Sequence, residues 1–598
     1  MIRVILGNAK DLLRREKMSV IYLISVVLLW TGCLLVKKSD EKKNALVWSV
    51  CSVILVFSVQ AFFAGLFGFV HLGVGVVSIG LTNILCAAGL FVWIYKKGRQ
   101  SYYVRPIDVI TLILMLLVVI KFALHRYGAA SHINFTSVDA SVHMKFAKQI
   151  ATEHTLPTNM YFSALSTGLF MEAFSKLSGS SPFYMYEVFV VCEIVYTFLS
   201  AALMWAVIRE RAKSKVLPEL TAAGIMLLYW IGYPLYTTLF GFSYFTMSVI
   251  LMTLLLFLMD MYLKEDCNVY VTIVALNLVL YGVFVCYTLF VPVAFLGCFI
   301  TAMVRMLREG KENSVIKRLF TKKNVIRMLS IFLIPTVLGL LKSIANVKEL
   351  SGDDAGIARD GGCYTDLYSN FLLLIPFAML GGYFLWSRKE SGYILPVLFV
   401  LLGFMLLMFL GGMLGRVSAY YYMKNNSLLW LYLWVLTAEA IYAMLEKSRL
   451  AVAFVLFFAA ILGITIYVEP EIMRRNGRFI SVSGMNTFHV VYFNRNFYLN
   501  DGPLETELID LYKYVYDNCN DKEVVSVNGE VKNGWFTALT GNEKRFCYGG
   551  PDDYKALIDG NTGYVCANLS GEYDVVKDLL EPYPVIFENG AGRIYKLD

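Results

Sequence analysis

The sequence predicts an α-helical polytopic membrane protein of about 13 to 14 transmembrane helices, followed by a small extracytoplasmic α/β domain. Three observations predict it. Of 598 residues, 58% are hydrophobic and only 16% charged, against about 25% charged in an average soluble domain, so too few charges remain to cover a water-facing surface. The apolar residues fall in long blocks near the length that crosses a bilayer, separated by short basic stretches. After residue 468 that character stops.

Backbone exposed to lipid must satisfy its own hydrogen bonds, which makes the blocks helices. The ten-residue alternation of a membrane barrel is not seen. Spans are expected at 18–36, 45–67, 72–95, 107–126, 184–208, 217–238, 242–262, 269–285, 288–306, 326–345, 369–386, 393–412, 427–445 and 450–468. The first is preceded by seventeen polar and mixed residues without a small-residue cleavage site, so it is expected to be retained.

Short loops rich in Lys and Arg stay in the cytoplasm. Lys96, Lys97, Arg99 and Arg105 mark one; Arg209, Arg211, Lys213 and Lys215 mark the next. The stretch Arg305 to Arg327 carries eight basic residues, and Arg388, Lys389, Lys447 and Arg449 complete the set. These loops share one side, which leaves 127–183, 346–368, 413–426 and everything after 468 on the other. The N-terminus resists this scheme: Arg3, Lys10, Arg14, Arg15 and Lys17 compete with Lys37, Lys38, Lys42 and Lys43. Either the first block does not cross fully, leaving thirteen spans, or the charge rule fails there.

The chain therefore divides into a membrane domain, 1–468, and a domain at 469–598. In the second, Glu505 to Asn518 and Tyr573 to Leu580 read as helices, Val524 to Val527, Tyr564 to Ala567 and Val585 to Phe587 as short buried strands, and the ending as a hairpin. Alternating strands and helices predict a small α/β fold. It carries no nucleotide-binding glycine pattern and no nucleophile elbow, which fits a cap or recognition domain. Its three cysteines, Cys519, Cys547 and Cys566, are too few for a complete disulfide framework and leave room for one pair. No nucleic-acid motif is present, since topology already accounts for the basic loops.

The segment 127–183 is too long for a connector, and long loops of that kind are usually functional. Within it, Asp139 and His143 are spaced i and i+4, so both side chains can leave one face of a helix just outside the bilayer. The same residues fit an N-cap, with Ser137 or Asp139 satisfying free amides and His143 an ordinary interfacial side chain. A second candidate is Arg416, Tyr420 and Lys424, an i, i+4, i+8 stripe if helical, beside Tyr421. Fixed cations among aromatic rings suit a lipid-linked phosphate. They suit equally an interfacial tyrosine belt with snorkelling bases. In the loop 351–363, the adjacent Asp353 and Asp354 are the candidates for holding a divalent cation, which is otherwise a solvated glycine-rich turn.

Asp139-x-x-x-His143 at a helix start in the first large outer loop resembles the acidic site of the GT-C class of membrane glycosyltransferases. The stretch from Leu156-Pro157 to Pro182 is similar to the Pro-containing loop and short helix of bacterial members, and Ser418-x-Tyr420-Tyr421-x-x-Lys424 resembles GT-C-like bacterial proteins. The architecture is similar along the chain; the residue-level match is confined to these two places. The resemblance implies transfer of a sugar from a polyprenyl-phosphate donor to a cell-envelope glycan or lipid outside the cytoplasm. Asp139 would be the general base and Arg416 and Lys424 would steady the phosphate. His143 and Lys145 would orient a head group, with Tyr420 and Tyr421 in the binding set.

The competing reading is a transporter or flippase of a lipid-linked glycan, which places ionisable residues at mid-membrane depth. Glu193 and Glu439, each inside an apolar span, are its support.

Overall fold

A computed structural model describes residues 2–350, 371–447, 490, 494 and 504–597, apart from 130, 158–160, 212–215, 265–267, 310–313, 315–318, 372–373, 389–391, 418, 520, 542–550, 560–561 and 570–572. The expected span 450–468, the 468/469 boundary and Asp353 and Asp354 lie outside the described residues. The helices of the first half are α1 (Ile2–Leu35), α2 (Ala45–Phe69), α3 (Val76–Lys97), α4 (Pro106–Tyr127), α5 (Asp139–Glu153), α6 (Tyr161–Ser178) and α7 (Met185–Arg211). Then follow α8 (Val216–Trp230), α9 (Tyr233–Leu239), α10 (Ser243–Lys264), α11 (Val269–Cys286), α12 (Val291–Glu309), α13 (Lys322–Leu350), α14 (Leu374–Ser387), α15 (Ile394–Met413), α16 (Ala419–Lys424) and α17 (Asn426–Lys447).

Among the described residues eleven helices are long and apolar enough to cross a membrane. The expected span 217–238 is the exception that matters most: it breaks into α8 and α9 at Gly232. Pro234 sits in the first turn of α9, where its missing N–H costs nothing. A side chain at Gly232 would place its Cβ 2.4 Å from the Trp430 ring, so glycine is what lets α17 approach. The carbonyls at the break receive side-chain donors from elsewhere in the sequence. Trp430 Nε1 donates to the Tyr229 carbonyl at 3.0 Å, and Asn494 Nδ2 donates to those of Ile231 and Gly232 at 2.8 and 2.7 Å. At α14 the described helix is 14 residues, shorter than the span expected over 369–386.

The basic loops gather at one end of the bundle. Arg209, 4% exposed at its side chain, lies 3.0 Å from Asp108 and 3.0 Å from Glu219, and Arg105 holds the same Glu219 at 2.6 Å. Arg211 pairs with Asp260 and with Glu439 at 2.5 Å. Gly392, at φ +55°, closes against Asp260. Arg305 donates to the Tyr262 carbonyl, and the Asn268 amide donates to the Lys38 carbonyl at 2.5 Å. The strand pair β1 (Lys43–Asn44) and β2 (Tyr102–Tyr103), parallel, ties the first loop to the third. Because Lys37 to Lys43 sit at this end, α1 runs antiparallel to α2 and its stretch Glu16–Leu35 is long enough to cross.

At the other end lies the α/β unit. Its helices are α18 (Thr506–Asn518), α19 (Glu530–Thr540), α20 (Pro551–Asp559) and α21 (Tyr573–Leu580), and its strands β3 (Val524–Val527), β4 (Tyr564–Asn568), β5 (Val585–Glu588) and β6 (Gly592–Lys596). The sheet order is β3-β4-β6-β5, with β3 and β4 parallel and β5 and β6 forming the expected hairpin. Cys519 and Cys566 are buried free thiols; Cys547 lies outside the described residues.

Arg209 holds two carboxylates on two helices, and removing one partner of a buried pair strands the others. Arg209→Ala is expected to cost about 3–5 kcal/mol, read as a lowered thermal midpoint of the detergent-purified protein.

Candidate functional site

The site is built on α5. Ala140, Met144, Ala147, Ile150 and Ala151 recur at helical spacing and are buried. Gly168 on α6 allows the close approach, since a Cβ there would meet the Ala147 carbonyl at 2.6 Å. The start of α5 is pinned to the loop after α9. The Thr136 amide and hydroxyl both donate to the Leu239 carbonyl, at 3.1 and 3.2 Å, and Gly241, at φ +66°, leaves no room for a side chain against Ala140. At its other end, His154 adopts the left-handed conformation (φ 58°), and its carbonyl accepts the Val74 amide at 2.8 Å.

Asp139 is the first residue of α5 and half-buried. Its amide donates to Ser137 Oγ at 3.1 Å, while the N-cap position falls to Val138 and no side chain caps the helix. The Asp139 carboxylate makes no hydrogen bond or ion pair with the described residues. One turn later His143 is buried, its ring 4.6 Å from that of Tyr244. Lys424, at the end of α16, is buried as well. Its ammonium donates to Tyr244 Oη at 3.3 Å and lies over the rings of Phe242 at 4.2 Å and Phe245 at 4.9 Å. The charges of Asp139 and Lys424 act on one another, and that of Lys424 reaches His143.

Thus His143 and Lys424, 281 residues apart in sequence, meet on Tyr244, with Asp139 one turn before His143 and within electrostatic reach of Lys424. Other expected members do not join them. Arg416 is exposed and precedes α16 in a turn: Gly415, at φ +66°, ends α15, and the Arg416 amide donates back to the Gly411 carbonyl at 2.8 Å. The i, i+8 stripe from Arg416 to Lys424 therefore does not form. Tyr421 is half-buried, and the Tyr420 side chain lies outside the described residues. Lys145 is exposed, two residues and about 200° of helix turn from His143. The aromatic floor of Phe242, Tyr244, Phe245 and Tyr287 was not anticipated; the aromatic density of residues 240–245, just after a Gly-Tyr-Pro break, is the signal that carries it. Among the described residues no three His, Cys, Asp or Glu side chains converge as metal ligands.

The α/β unit rests on the same helix. Trp535 of α19 stacks on Phe135, centroids 5.8 Å apart, and meets Phe189 at 6.3 Å. A side chain at Gly534 would bring its Cβ within 2.5 Å of Ser141 Oγ and 2.7 Å of Val138 Cγ2. Lys148 donates to the carbonyls of Ala538 and Leu539, at 3.2 and 2.9 Å, a cation on the C-terminal carbonyls of α19. Burial pushes Lys148 down to about 8, which leaves it mostly charged at neutral pH. The Leu504 amide donates to the Ile133 carbonyl at 2.8 Å.

No family model and no curated protein sequence matches the chain. Among solved structures, the apo crystal structure of the Archaeoglobus fulgidus oligosaccharyltransferase is similar at 10% identity and a TM-score of 0.44, over 77% of this chain and 69% of that one.

Burial, and then the charge of Lys424, push His143 down to about 3. Above its unfolded value both states are neutral and it contributes nothing to pH dependence. Between about 6.5 and 3 the unfolded chain takes up a proton that the folded one refuses, so stability falls as pH falls through that window. His143→Gln should flatten the decline in thermal midpoint between pH 7 and pH 4. Separately, Gly534→Val should unseat α19 and raise hydrogen exchange across 139–150, measured by mass spectrometry, while β3 to β6 keep their protection.

Proposed function

We propose that this multi-pass membrane protein is a glycosyltransferase of the GT-C kind, moving a sugar from a polyprenyl-phosphate donor to a cell-envelope acceptor on the extracytoplasmic side. The observation that carries the reading is an Asp139 carboxylate without a hydrogen bond or ion pair among the described residues, one helix turn before His143, which shares the Tyr244 ring with the caged Lys424 ammonium, at the bundle end away from the basic loops. By the rule that basic loops stay in the cytoplasm, that end faces outward, and with it the α/β unit.

The chemistry accounts for each residue type. The acceptor hydroxyl gives its proton to the Asp139 carboxylate as its oxygen bonds to the anomeric carbon. The bond from that carbon to the phosphate oxygen breaks, and the phosphate departs with the electron pair. Lys424 meets the charge that develops there in a setting stripped of water on its aromatic sides, where a fixed cation acts more strongly than in bulk solvent. A donor with its own phosphate leaving group needs no second carboxylic acid, unlike a glycoside. His143, held neutral, offers a ring nitrogen to a sugar hydroxyl without adding a charge.

A second reading, movement of a lipid-linked glycan, is left with one of its two acids. Glu439 is paired with Arg211 at the end of the bundle, whereas Glu193 is 1% exposed and has no ion pair among the described residues. Transport would fail in Glu193→Gln, whereas sugar transfer would persist.

With a labelled polyprenyl-phosphate sugar, Asp139→Asn should lower transfer by about 10²–10⁴-fold, the range of a lost general base. Lys424→Met should lower it by about 10²–10³-fold. Retained activity in Asp139→Asn overturns the mechanism.

A further inference from the structure

A recess of about 950 Å³ opens on the bundle flank, walled by α1, α2, α6 and α7. Its depth is hydrocarbon: Val27 and Trp30 from α1, Val53 from α2, Phe170 from α6, Val191 and Val195 from α7. Three of these valines are open to the surroundings, Val27 at 57%, Val191 at 48% and Val195 at 43%, so the recess faces the lipid rather than the protein interior. The volume is at the upper end of the roughly 300–1,000 Å³ that enclose a small organic ligand. None of Asp139, His143 or Lys424 lines it.

The mouth is different in kind. It is formed where α6 ends and α7 begins, at the bundle end that bears Asp139, by Ser175, Ser178, Ser180, Tyr184 and Glu187. Ser178 and Ser180 hydroxyls lie 2.5 Å apart, and Ser175 Oγ donates to the Ser180 carbonyl at 3.1 Å. No Lys or Arg is among the described lining residues. The two bases nearby are engaged: Lys176 turns to Glu172 at 2.5 Å, and Lys513, over the Tyr184 ring, pairs with Asp517. His132 is within electrostatic reach of Glu187. Hydroxyls and a carboxylate hydrogen-bond to alcohol groups, while a phosphate brought there meets the like charge of Glu187 with no lysine or arginine among the described lining residues to offset it.

We infer that this recess binds a lipid with an uncharged, hydroxyl-bearing head, one hydrocarbon chain lying between α1, α2, α6 and α7 and the head on the serines and Glu187. It is a site separate from the cationic one at Lys424, and the inference does not depend on sugar transfer. An anionic phospholipid is the other lipid source of the same chain, and the head group distinguishes the two.

The test uses a photo-activatable diacylglycerol and the phosphatidic acid bearing the same chains, so that only the head differs. Each is added to the purified full-length chain in neutral detergent and cross-linked peptides are mapped. Diacylglycerol should label peptides containing Val27, Val53 and Val191 about fivefold more than phosphatidic acid, the ratio expected from one unscreened like charge. Val191→Trp and Val195→Trp fill the recess from its open side, and each should abolish that labelling with the thermal midpoint unchanged. Glu187→Gln should raise the phosphatidic acid signal toward that of diacylglycerol. Equal labelling by the two lipids, stronger labelling by phosphatidic acid, or labelling indifferent to the tryptophan variants overturns the inference.

Discussion

Backbone amides and carbonyls have no water partner in a hydrocarbon layer, and the folding of this chain is governed by finding internal ones. Helices meet most of the demand. Where a helix is interrupted, a side chain from elsewhere in the sequence supplies the missing group. Asn494 and Trp430 serve the carbonyls at the α8–α9 break. Glu172 of α6 takes the amide of Val76 at the start of α3, at 2.8 Å. The ammonium of Lys38, buried beneath Trp48, caps the carbonyls of Cys33, Leu34 and Val36 at the end of α1. These contacts span up to 263 residues of sequence, so each also fixes how distant helices are placed. The stretch between α4 and α5, which leads into Asp139, is irregular backbone of this sort, and it is held in the same way: Asn134 and Arg126 exchange side-chain bonds to one another's carbonyls, and Thr136 donates to the Leu239 carbonyl.

Charge is used differently at the two ends. At the end of the basic loops, Asp108, Glu219, Asp260 and Glu439 are each matched by Arg105, Arg209 or Arg211, and a buried pair whose partners are all present is electrically quiet. At the opposite end the Asp139 carboxylate makes no ion pair among the described residues, and Lys424 lies within its electrostatic reach. A carboxylate left without a protein partner in a partly dry place is available to a third party. That asymmetry between the ends is what the proposed site rests on.

The membrane body was largely legible because hydrophobic length is a property of the chain alone. The break in α8 was not, although Gly232 and Pro234 are visible in the sequence, because the interruption is stabilised by Trp430 and Asn494, whose proximity no local pattern reveals. Glu439 read as a mid-membrane acid because its partner Arg211 is 228 residues away. Within the site, spacing on one helix brought Asp139 and His143 to one place. Lys424 arrived there through the chain path of α16 rather than through a stripe, which Gly415 interrupts. The helix α19 was passed over because Asn533-Gly534 weakens its local propensity. The glycine is there for packing: a larger side chain would collide with Ser141 and Val138.

That last detail bears on why the α/β unit exists. A helix of fifteen residues such as α5 is marginal in isolation and takes its stability from what it packs on. One face of α5 lies on α6, and another is covered by α19, which stacks Trp535 on the approach segment at Phe135 and accepts Lys148 at its own carbonyl end. Asp139 begins the N-terminal turn of α5, two residues before Ser141, against which Gly534 of α19 is packed. Under the proposed mechanism Asp139 is the base, and such a group has to be held within a fraction of an ångström. The membrane helices supply one wall of that support and the α/β unit supplies the other, which gives the unit a physical part in positioning α5.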